Sequence, residues 1–181
     1  MDDLRSPLVP IREASAPDRE AIVRIARASF DRVYAFFAVR GLGRADPLLV
    51  AEDGGAVMGF LEGIVFPGAP PIGYVYFVAV DPSRRGRGTG RTLVAGAIER
   101  FRAAGATRAF AAVPKDNDAS RRLFESLGFQ EAPRSALRRW YGWRGITAQI
   151  RMVIAPHEVL MARTFTDPSP ASVQEAPGPS S

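Results

Sequence analysis

Residues 84–90 combine three glycines with three arginines, between an apolar segment typical of a buried strand and a segment typical of a helix. A helix N-terminus presents unpaired backbone N–H groups and a partial positive charge, and glycines let the preceding backbone approach a ligand closely. The pattern therefore predicts a site for an anionic group such as a diphosphate. The alternative is a glycine-rich turn with solvated arginines and no ligand, since short glycine motifs are not specific.

Two common phosphate-binding motifs fit this turn poorly. A Walker loop needs Gly-Lys-Ser/Thr, whereas Gly90 is followed here by Arg91-Thr92. A Rossmann turn needs G-x-G-x-x-G at the start of a βαβ unit, whereas this turn has G-x-G-x-G after three predicted strands. Neither a P-loop protein nor a dinucleotide-binding domain is therefore favoured.

The composition excludes several kinds of catalytic site. The 181 residues contain no cysteine, a single histidine, His157, and a single lysine, Lys115. A cysteine nucleophile, a disulfide and a two-histidine metal site are thereby excluded, and we expect no metal. The net charge is +5, but the arginines are spread along the chain rather than gathered in one tail, so nucleic acid is not favoured as a partner.

The length and the 46% hydrophobic content predict a single globular domain, which we place at residues 8–164. Residues 1–7 are predicted to be a flexible N-terminus and residues 165–181 a disordered tail, because the C-terminal segment is rich in proline and serine. No apolar run approaches the roughly 20 residues of a membrane span, and the N-terminus lacks the features of a signal peptide. We therefore expect a cytoplasmic protein without a membrane partner.

The segment before the glycine turn predicts one strand, two helices and a three-stranded antiparallel meander. The predicted ranges are a strand at 8–14, a helix entered at 15–18, a helix at 31–40, and meander strands at 48–52, 56–66 and 74–80. Gly59 and Gly63 indicate a bulge or a close backbone approach in the middle meander strand. The aromatic cluster of Tyr34, Phe36 and Phe37 either packs in the core or forms a wall of an acceptor pocket.

The segment after the turn predicts a helix, a strand, a second helix and two further strands. The strand at 107–113 follows a helical crossover from 91–104, so it should lie parallel to the central strand. Asn117 should cap a helix that runs to Leu127. The remaining expectations are a strand from residue 129, the end of a hairpin arm at 138–143, and a final strand at 147–154.

Two segments together resemble the signatures of a known family. Val80-Asp81-Pro82 followed by Arg85-x-x-Gly88-x-Gly90 resembles the acyl-CoA-binding motif of the GNAT N-acetyltransferases. The segment from Asn117 to Phe129 resembles their second signature, a helix that begins at asparagine and ends in Gly-Phe. The order of predicted elements over residues 8–155 matches too, and the RimI-like group, which acetylates protein N-termini, is loosely similar. The implied fold is a mixed α/β fold with a central, mostly antiparallel sheet, two splayed parallel strands and flanking helices.

The resemblance implies that acetyl-CoA binds as the acyl donor. The backbone N–H groups that would hold its pyrophosphate belong to Arg85, Gly86, Arg87, Gly88, Thr89 and Gly90. The backbone of Val78, Ala79 and Val80 would pair with the pantetheine arm, and the Val78 amide would polarise the thioester carbonyl. Asn117 would hydrogen-bond the pantetheine region, and Phe124 would lie beside the same ligand.

The proton carriers that many members of this family use are absent at the matching positions. Phe124 stands where a tyrosine serves as the acid, and Ile72 and Tyr74 stand where a glutamate serves as the base. Three explanations are open. Positioning alone supports turnover, other residues substitute for the usual acid and base, or the protein binds acyl-CoA without transferring the acyl group.

The candidate substitutes are Glu62, Tyr74 and Tyr141. If even-numbered residues of the 56–66 strand share a face, Glu62 lies with Phe60, and an apolar setting would raise its pKa usefully for a base. The alternative is a glutamate at a strand edge that faces solvent. The two tyrosines could donate a proton, although tyrosines are more often packed aromatics with the hydroxyl at the surface.

The predicted function is N-acetyl transfer from acetyl-CoA to a primary amine, on a small molecule or a peptide or protein N-terminus, by direct attack in a ternary complex. The alternative is a non-catalytic acyl-CoA-binding sensor on the same fold. The acceptor is not identified, but four residues favour a neutral or acidic acceptor, or a peptide stacked on aromatic rings: Trp140, Tyr141, Trp143 and Arg144. The sequence also leaves open whether the protein forms a homodimer.

Overall fold

A mixed sheet of seven strands forms the centre of the computed structural model, which describes residues 9–152 and 154–165. The strands are β1 (Ile11–Glu13), β2 (Leu48–Asp53), β3 (Ala56–Phe66), β4 (Ile72–Val80), β5 (Arg108–Pro114), β6 (Gln130–Ala132) and β7 (Glu158–Thr164). The α-helices are α1 (Arg19–Ser29), α2 (Arg32–Gly41), α3 (Thr89–Ala103), α4 (Asp118–Ser126), α5 (Ser135–Tyr141) and α6 (Trp143–Met152). The predicted flexible N-terminus at 1–7 and the predicted tail from 166 onward lie outside the described residues.

The order of strands in the sheet is β1-β2-β3-β4-β5-β7-β6, and every neighbouring pair is antiparallel except β4 and β5. The parallel pairing of β4 with β5 covers only Gly73–Val75 against Ala109–Ala111. Beyond Val75 the two strands are not paired with each other, although β4 continues to Val80. The prediction of a mostly antiparallel sheet with two splayed parallel strands is confirmed.

Helices cover both faces of the sheet, because the strands alternate their apolar side chains. Leu49 and Ala51 face α3, whose buried stripe includes Leu93, Ala97 and Phe101. On the opposite face, α1 and α2 cover residues such as Val50 and Phe60, and α5 and α6 cover residues such as Tyr74 and Phe110. The cavity described below is lined by residues from both faces, such as Phe124 on the α3 side and Tyr34 on the other.

Bulges interrupt β3 and its neighbours near the two glycines that predicted them. The register shifts opposite Ala51 and Glu52, and again between Glu62 and Gly63. A Cβ on Gly59 would lie 2.7 Å from the carbonyl oxygen of Ala79, so only glycine permits this close strand approach.

The structure corrects the sequence prediction at the C-terminal end. Residues 138–143 and 147–154, predicted as a hairpin arm and a strand, lie mainly in α5 and α6, and the last strand is β7. The buried residues of α6, Gly145, Ala148 and Met152, recur at helical spacing, which the alternation of nearby residues concealed. Phe165, predicted as the first tail residue, is buried in the core beside α3. Within the described ranges, no helix is both long and apolar enough to cross a membrane.

Candidate active site

The glycine turn between β4 and α3 has the backbone geometry of an anion site. Gly86 and Gly88 have φ values of +80° and +76°, which residues with a side chain rarely adopt. A Cβ on either glycine would meet nothing within 4 Å, so the space in front of the turn is free. Helix α3 begins directly afterwards at Thr89, and its first N–H groups have no partner within the helix.

The polar contacts of Asp81 and Arg85 hold this turn. Asp81 accepts a hydrogen bond from the backbone N–H of Ser83 at 3.0 Å and pairs with Arg24 at 2.7 Å. The Ser83 hydrogen bonds and the Arg24 guanidinium lower the pKa of Asp81 to about 2. The side chain of Arg85 donates from Nε to the carbonyl oxygen of Val80 at 3.3 Å. These contacts connect the turn to α1 and to the end of β4.

Gly90 has a structural purpose different from that of Gly86 and Gly88. It is buried at the start of α3, and a Cβ there would lie 2.8 Å from Cδ1 of Leu123 on α4. Gly90 thus allows α3 and α4 to pack closely. Arg91 reinforces the contact by donating to the carbonyl oxygen of Ser126 at 2.9 Å.

A cavity of about 840 Å³ lies where β4 and β5 separate. Its walls include α2, the unpaired part of β4, the N-terminal half of α4 and the start of β7. Among the predicted site residues, those that line it are Tyr74, Val78, Asn117 and Phe124. Ala79, Val80 and residues 85–90 are not part of its wall, but they continue from Val78 along the same strand and turn.

Asn117 and Phe124 keep α4 at the edge of this cavity. The Oδ1 atom of Asn117 accepts a hydrogen bond from the backbone N–H of Ser120 at 3.0 Å, which confirms the predicted N-cap. The amide NH₂ of Asn117 is thus left for a ligand. The ring of Phe124 packs edge-on against Phe129 with the ring centres 5.1 Å apart.

Glu62 is fully buried and does not line the cavity. Neither carboxyl oxygen has a hydrogen-bond partner among the described residues, and burial raises the pKa of Glu62 to about 8. A Cβ on Gly41 would lie 2.5 Å from Oε2 of Glu62 and 3.3 Å from the ring of Tyr76. The apolar setting expected for Glu62 is present, and the solvent-facing alternative is excluded.

The two tyrosines predicted as proton donors lie in different places. Tyr74 is buried in the cavity wall, and its hydroxyl donates to the carbonyl oxygen of Met152 at 3.4 Å. Burial raises the pKa of Tyr74 strongly. Tyr141 lies outside the cavity wall, where its ring packs against Phe110 with the ring centres 6.2 Å apart. The geometry therefore gives Tyr141 no contact with a ligand in the cavity.

Most of the residues that the sequence analysis associated with the acceptor lie outside the cavity wall. Trp140, Trp143 and Arg144 do not line the cavity. Tyr34 and Phe37 do line it, whereas Phe36 is 60% exposed, so the pocket-wall interpretation of this cluster holds for two of its three members.

Two side chains that the sequence analysis gave no role, His157 and Glu158, meet Tyr34 in the cavity wall. The hydroxyl of Tyr34 lies 2.8 Å from Oε1 of Glu158 and 2.9 Å from Nε2 of His157. The sequence does show the single histidine next to a glutamate. Predicting their place in the cavity would have required the correct position of β7, which the sequence analysis did not find. No cluster of three or more histidine, aspartate or glutamate side chains in the described ranges has the arrangement of a metal site.

A comparison with protein-family models identifies the family of the chain. Residues 11–129 match the model of the Acetyltransferase (GNAT) family. The chain belongs to the GNAT family. The matched range contains the meander, the glycine turn, α3, β5 and α4, and so includes both motifs that carried the resemblance.

Curated relatives of this GNAT chain are similar to it over part of their length. A mycothiol acetyltransferase of Kocuria rhizophila is 40% identical over 82 residues, which cover 44% of the chain and 27% of the relative. An L-2,4-diaminobutyric acid acetyltransferase of Streptomyces coelicolor is 35% identical over 122 residues, which cover 65% of the chain and 72% of the relative. The chain thus spans only 27% of the length of the first of these relatives.

Solved structures share the fold over nearly their whole length. The PaiA N-acetyltransferase from Thermoplasma acidophilum, in complex with coenzyme A, has a TM-score of 0.64 and 14% identity over 86% of this GNAT chain and 98% of the other. The ribosomal-protein-S18-alanine N-acetyltransferase from Escherichia coli has a TM-score of 0.63 and 22% identity over 88% of this chain and 97% of the other. At these identities the likeness establishes the fold, including its similarity to RimI-like proteins.

Proposed function

We propose that the protein transfers an acetyl group from acetyl-CoA to a primary amine, which attacks directly in a ternary complex. The observation that carries this proposal is the unpaired edge of β4 beyond Val75, which leads into a glycine turn and a helix N-terminus. An amide-bearing arm fits a free strand edge, and a diphosphate fits the turn. Relatives named as acetyltransferases and a similar structure that holds coenzyme A support the same ligand.

The donor would be held mainly by backbone groups. The N–H groups of residues 85–90 would meet the pyrophosphate, and Asn117 would use its free amide NH₂ toward the pantetheine arm. When bound, acetyl-CoA supplies an acetyl group activated as a thioester. The Val78 N–H would stabilise the negative charge that develops on its carbonyl oxygen, a type of contact worth about 100-fold or more in rate.

The charge of the cavity supports an acceptor that arrives as a cationic amine. Four carboxylate side chains line it, namely Asp31, Asp116, Asp118 and Glu158. Among the described residues in its wall, none is an arginine or a lysine. An ammonium group is attracted to such a wall, whereas a carboxylate is repelled. This inference replaces the neutral or acidic acceptor that the aromatic segment at 140–144 favoured.

The proposal requires that the amine lose its proton before or during attack. Glu62, with its raised pKa, could take that proton only through water, because it lies behind the cavity wall. Its role as the base stays a prediction. Tyr74 lies in the wall, but its hydroxyl is directed to the carbonyl oxygen of Met152.

The proposal is tested by binding and turnover measured on the same protein. Acetyl-CoA should raise the melting temperature in a thermal-shift assay. Thiol release should then be followed with an acceptor panel that contains putrescine, L-2,4-diaminobutyric acid, N-terminal alanine peptides and neutral or acidic amino acids. We expect release with the cationic amines and little with acidic acceptors.

Each outcome separates one alternative from the others. The absence of stabilisation by acetyl-CoA would contradict both the transferase and the sensor. Stabilisation without turnover on any amine would favour the acyl-CoA sensor. Turnover confined to acidic acceptors would leave the transferase standing and overturn the cationic acceptor.

A further inference from the structure

We propose that Tyr34, His157 and Glu158 form a proton relay, in which His157 is the base that takes the proton from the acceptor amine. This inference rests on the proposed function. Tyr34 comes from α2, His157 from the turn before β7 and Glu158 from the first position of β7, and all three line the cavity. They are the only described group in its wall in which a tyrosine hydroxyl contacts both a carboxylate and an imidazole.

The hydrogen-bonding capacities of the three groups fix the direction of the relay. Glu158, when ionised, can only accept, so the single proton of the Tyr34 hydroxyl goes to its Oε1 atom at 2.8 Å. The Tyr34 oxygen must then accept from Nε2–H of His157 at 2.9 Å. The remaining ring nitrogen, Nδ1, therefore carries a lone pair that can take a proton.

Burial decreases along the relay toward the cavity. Glu158 is 8% exposed, and its Oε2 atom accepts a hydrogen bond from the backbone N–H of Ala155 at 2.8 Å. Tyr34 is partly buried, and His157 is exposed. The carboxylate is thus held in place, it orients the hydroxyl, and the hydroxyl orients an imidazole that a substrate can reach.

The relay borders the gap between β4 and β5, and one of its members contacts the strand that is proposed to hold the donor. Glu158 pairs with Pro114 at the end of β5, beyond the point where β5 has separated from β4. The ring of Tyr34 packs edge-on against Phe77, with the ring centres 6.4 Å apart, and Phe77 directly precedes Val78. The relay therefore contacts both strands that border the gap in which the proposed donor and acceptor would meet.

Nearby carboxylates support the approach of a cationic amine to the relay. Asp31 and Asp116 line the same wall and act electrostatically on Tyr34 together with Glu158. Three carboxylates therefore lie near the relay, and they attract the ammonium group of an acceptor to it. Arg134 contacts Glu158 only through the backbone carbonyl oxygen, at 3.2 Å, so it does not neutralise the carboxylate by pairing with it.

The step balances without a further reactant. The ammonium form of the acceptor gives one proton to Nδ1 of His157 and becomes a neutral amine. Its nitrogen attacks the thioester carbonyl carbon, the C–N bond forms and the C–S bond breaks. The amide nitrogen gives up its extra proton, and the thiolate of CoA takes up one proton. His157 returns its proton to solvent.

The first test needs no acceptor, because the chain has a single histidine. In untagged ¹⁵N-labelled protein, we expect the neutral imidazole to carry its hydrogen on Nε2. Tyr34→Phe should move the ring toward a mixture of tautomers. Tyr141→Phe, which removes a hydroxyl outside the cavity wall, should leave the tautomer unchanged. Hydrogen on Nδ1 in the wild type would overturn the relay.

The second test measures turnover with the fastest acceptor of the panel above. His157→Gln should lower kcat about 100-fold, the usual worth of a general base, with CoA affinity unchanged. Tyr34→Phe should lower kcat about tenfold, and the double variant should lose less than the product of the two, because the residues act in series. Added imidazole should restore part of the activity of His157→Ala.

The outcomes distinguish the relay from the proposed function. Full turnover in His157→Gln would overturn the relay and leave the acetyltransferase standing. Equal losses in Tyr141→Phe and Tyr34→Phe would also overturn it, because the effect would then be one of general structure. A wild type that binds acetyl-CoA but acetylates no amine would overturn both the transferase and the base, whatever tautomer His157 has.

Discussion

The two sides of the cavity are built from different chemical groups. The donor side consists of the unpaired edge of β4, the turn at 81–88 and the start of α3, and its polar groups are mainly backbone amides. The acceptor side consists of α2, the turn before β7 and the start of β7, and its polar groups are the side chains of Tyr34, His157 and Glu158. In the proposed function, the donor would therefore be held mainly by backbone groups and the acceptor mainly by side chains.

The difference between backbone and side-chain groups also determines which of the two sides can be recognised in the sequence. A backbone site depends on glycines at short spacing, as at Gly86 and Gly88, so its signature is local. The relay joins Tyr34 to a glutamate 124 residues away, and no local pattern connects them. Substitutions on each side are expected to separate donor binding from acceptor chemistry.

The largest effect is expected on the donor side, from Gly88→Glu. The new carboxylate would stand in the free space before the α3 N-terminus, and the φ of +76° would strain the turn. We expect CoA affinity to fall at least about 1,000-fold, roughly 4 kcal/mol. Isothermal titration calorimetry measures it directly.

The matched control for this substitution is Gly54→Glu in the hairpin between β2 and β3. Gly54 also has a positive φ, of +57°, and a Cβ there would also meet nothing within 4 Å. Its backbone strain should lower the melting temperature by a similar amount while CoA affinity stays unchanged. If both variants lost CoA binding equally, general destabilisation would explain the loss and the turn would not be the anion site.

The fold was largely predictable where periodicity and turn residues agree. The meander around Asp53–Gly55, the parallel β5 and the Asn117 cap were all predicted correctly. The prediction was wrong at 147–154, because the apolar positions of a short amphipathic helix can also be read as alternation. β7 was missed because it lies between β5 and β6 with both faces largely buried, so its sequence does not alternate.

The site was predictable only in part, for a related reason. Val78, Asn117 and Phe124, which were predicted from family spacing, line the cavity, and their contact with CoA stays a prediction. Glu62 was expected near the chemistry, yet it lies behind the wall. The bulge between Glu62 and Gly63 changes the register at that point, and a single sequence reveals such a shift only through its glycines.

The second largest effect is expected from Glu62→Gln, on the free energy of unfolding. This variant tests whether Glu62 is a buried structural acid or the catalytic base. Glu62 has a folded pKa of about 8, above its ordinary value of 4.5. The folded state therefore binds the proton more tightly than the unfolded state, and stability falls as the pH rises between these values. We expect Glu62→Gln to gain roughly 3 kcal/mol relative to the wild type between pH 5 and pH 8. Urea denaturation across this range measures it.

Turnover of the same variant tests Glu62 as the base. If His157 is the base, kcat of Glu62→Gln should stay within about threefold of the wild type at pH 7, since a lost general base usually costs about 100-fold or more. A fall of that larger size, with CoA affinity unchanged, would instead support Glu62 acting through water. A stability difference that does not vary with pH would contradict the raised pKa.

A smaller effect is expected from removing the two helix caps on opposite sides of the cavity. Asn117 caps α4 on the donor side, and Asp31 caps α2 on the acceptor side by accepting from the N–H groups of Val33 and Tyr34. Asn117→Ala and Asp31→Ala should each cost about 1 kcal/mol of stability. Only Asn117→Ala should weaken CoA, by roughly fivefold for one lost hydrogen bond, and only Asp31→Ala should raise the acceptor KM. Equal effects of both variants on CoA would mean that the two sides are not separate sites.

The smallest effect is expected from Phe124→Tyr, which restores the tyrosine that the family resemblance places at this position. The ring is 3% exposed, packs on Phe129 and borders the cavity, so a hydroxyl there can reach a ligand on the donor side. We expect kcat to rise less than about threefold, because a thiolate is a good leaving group and needs little help from an acid. Single-turnover kinetics with acetyl-CoA measure the change. A tenfold rise would instead mean that protonation of the thiolate limits the wild type, and that the missing acid on the donor side, rather than the base on the acceptor side, sets the rate.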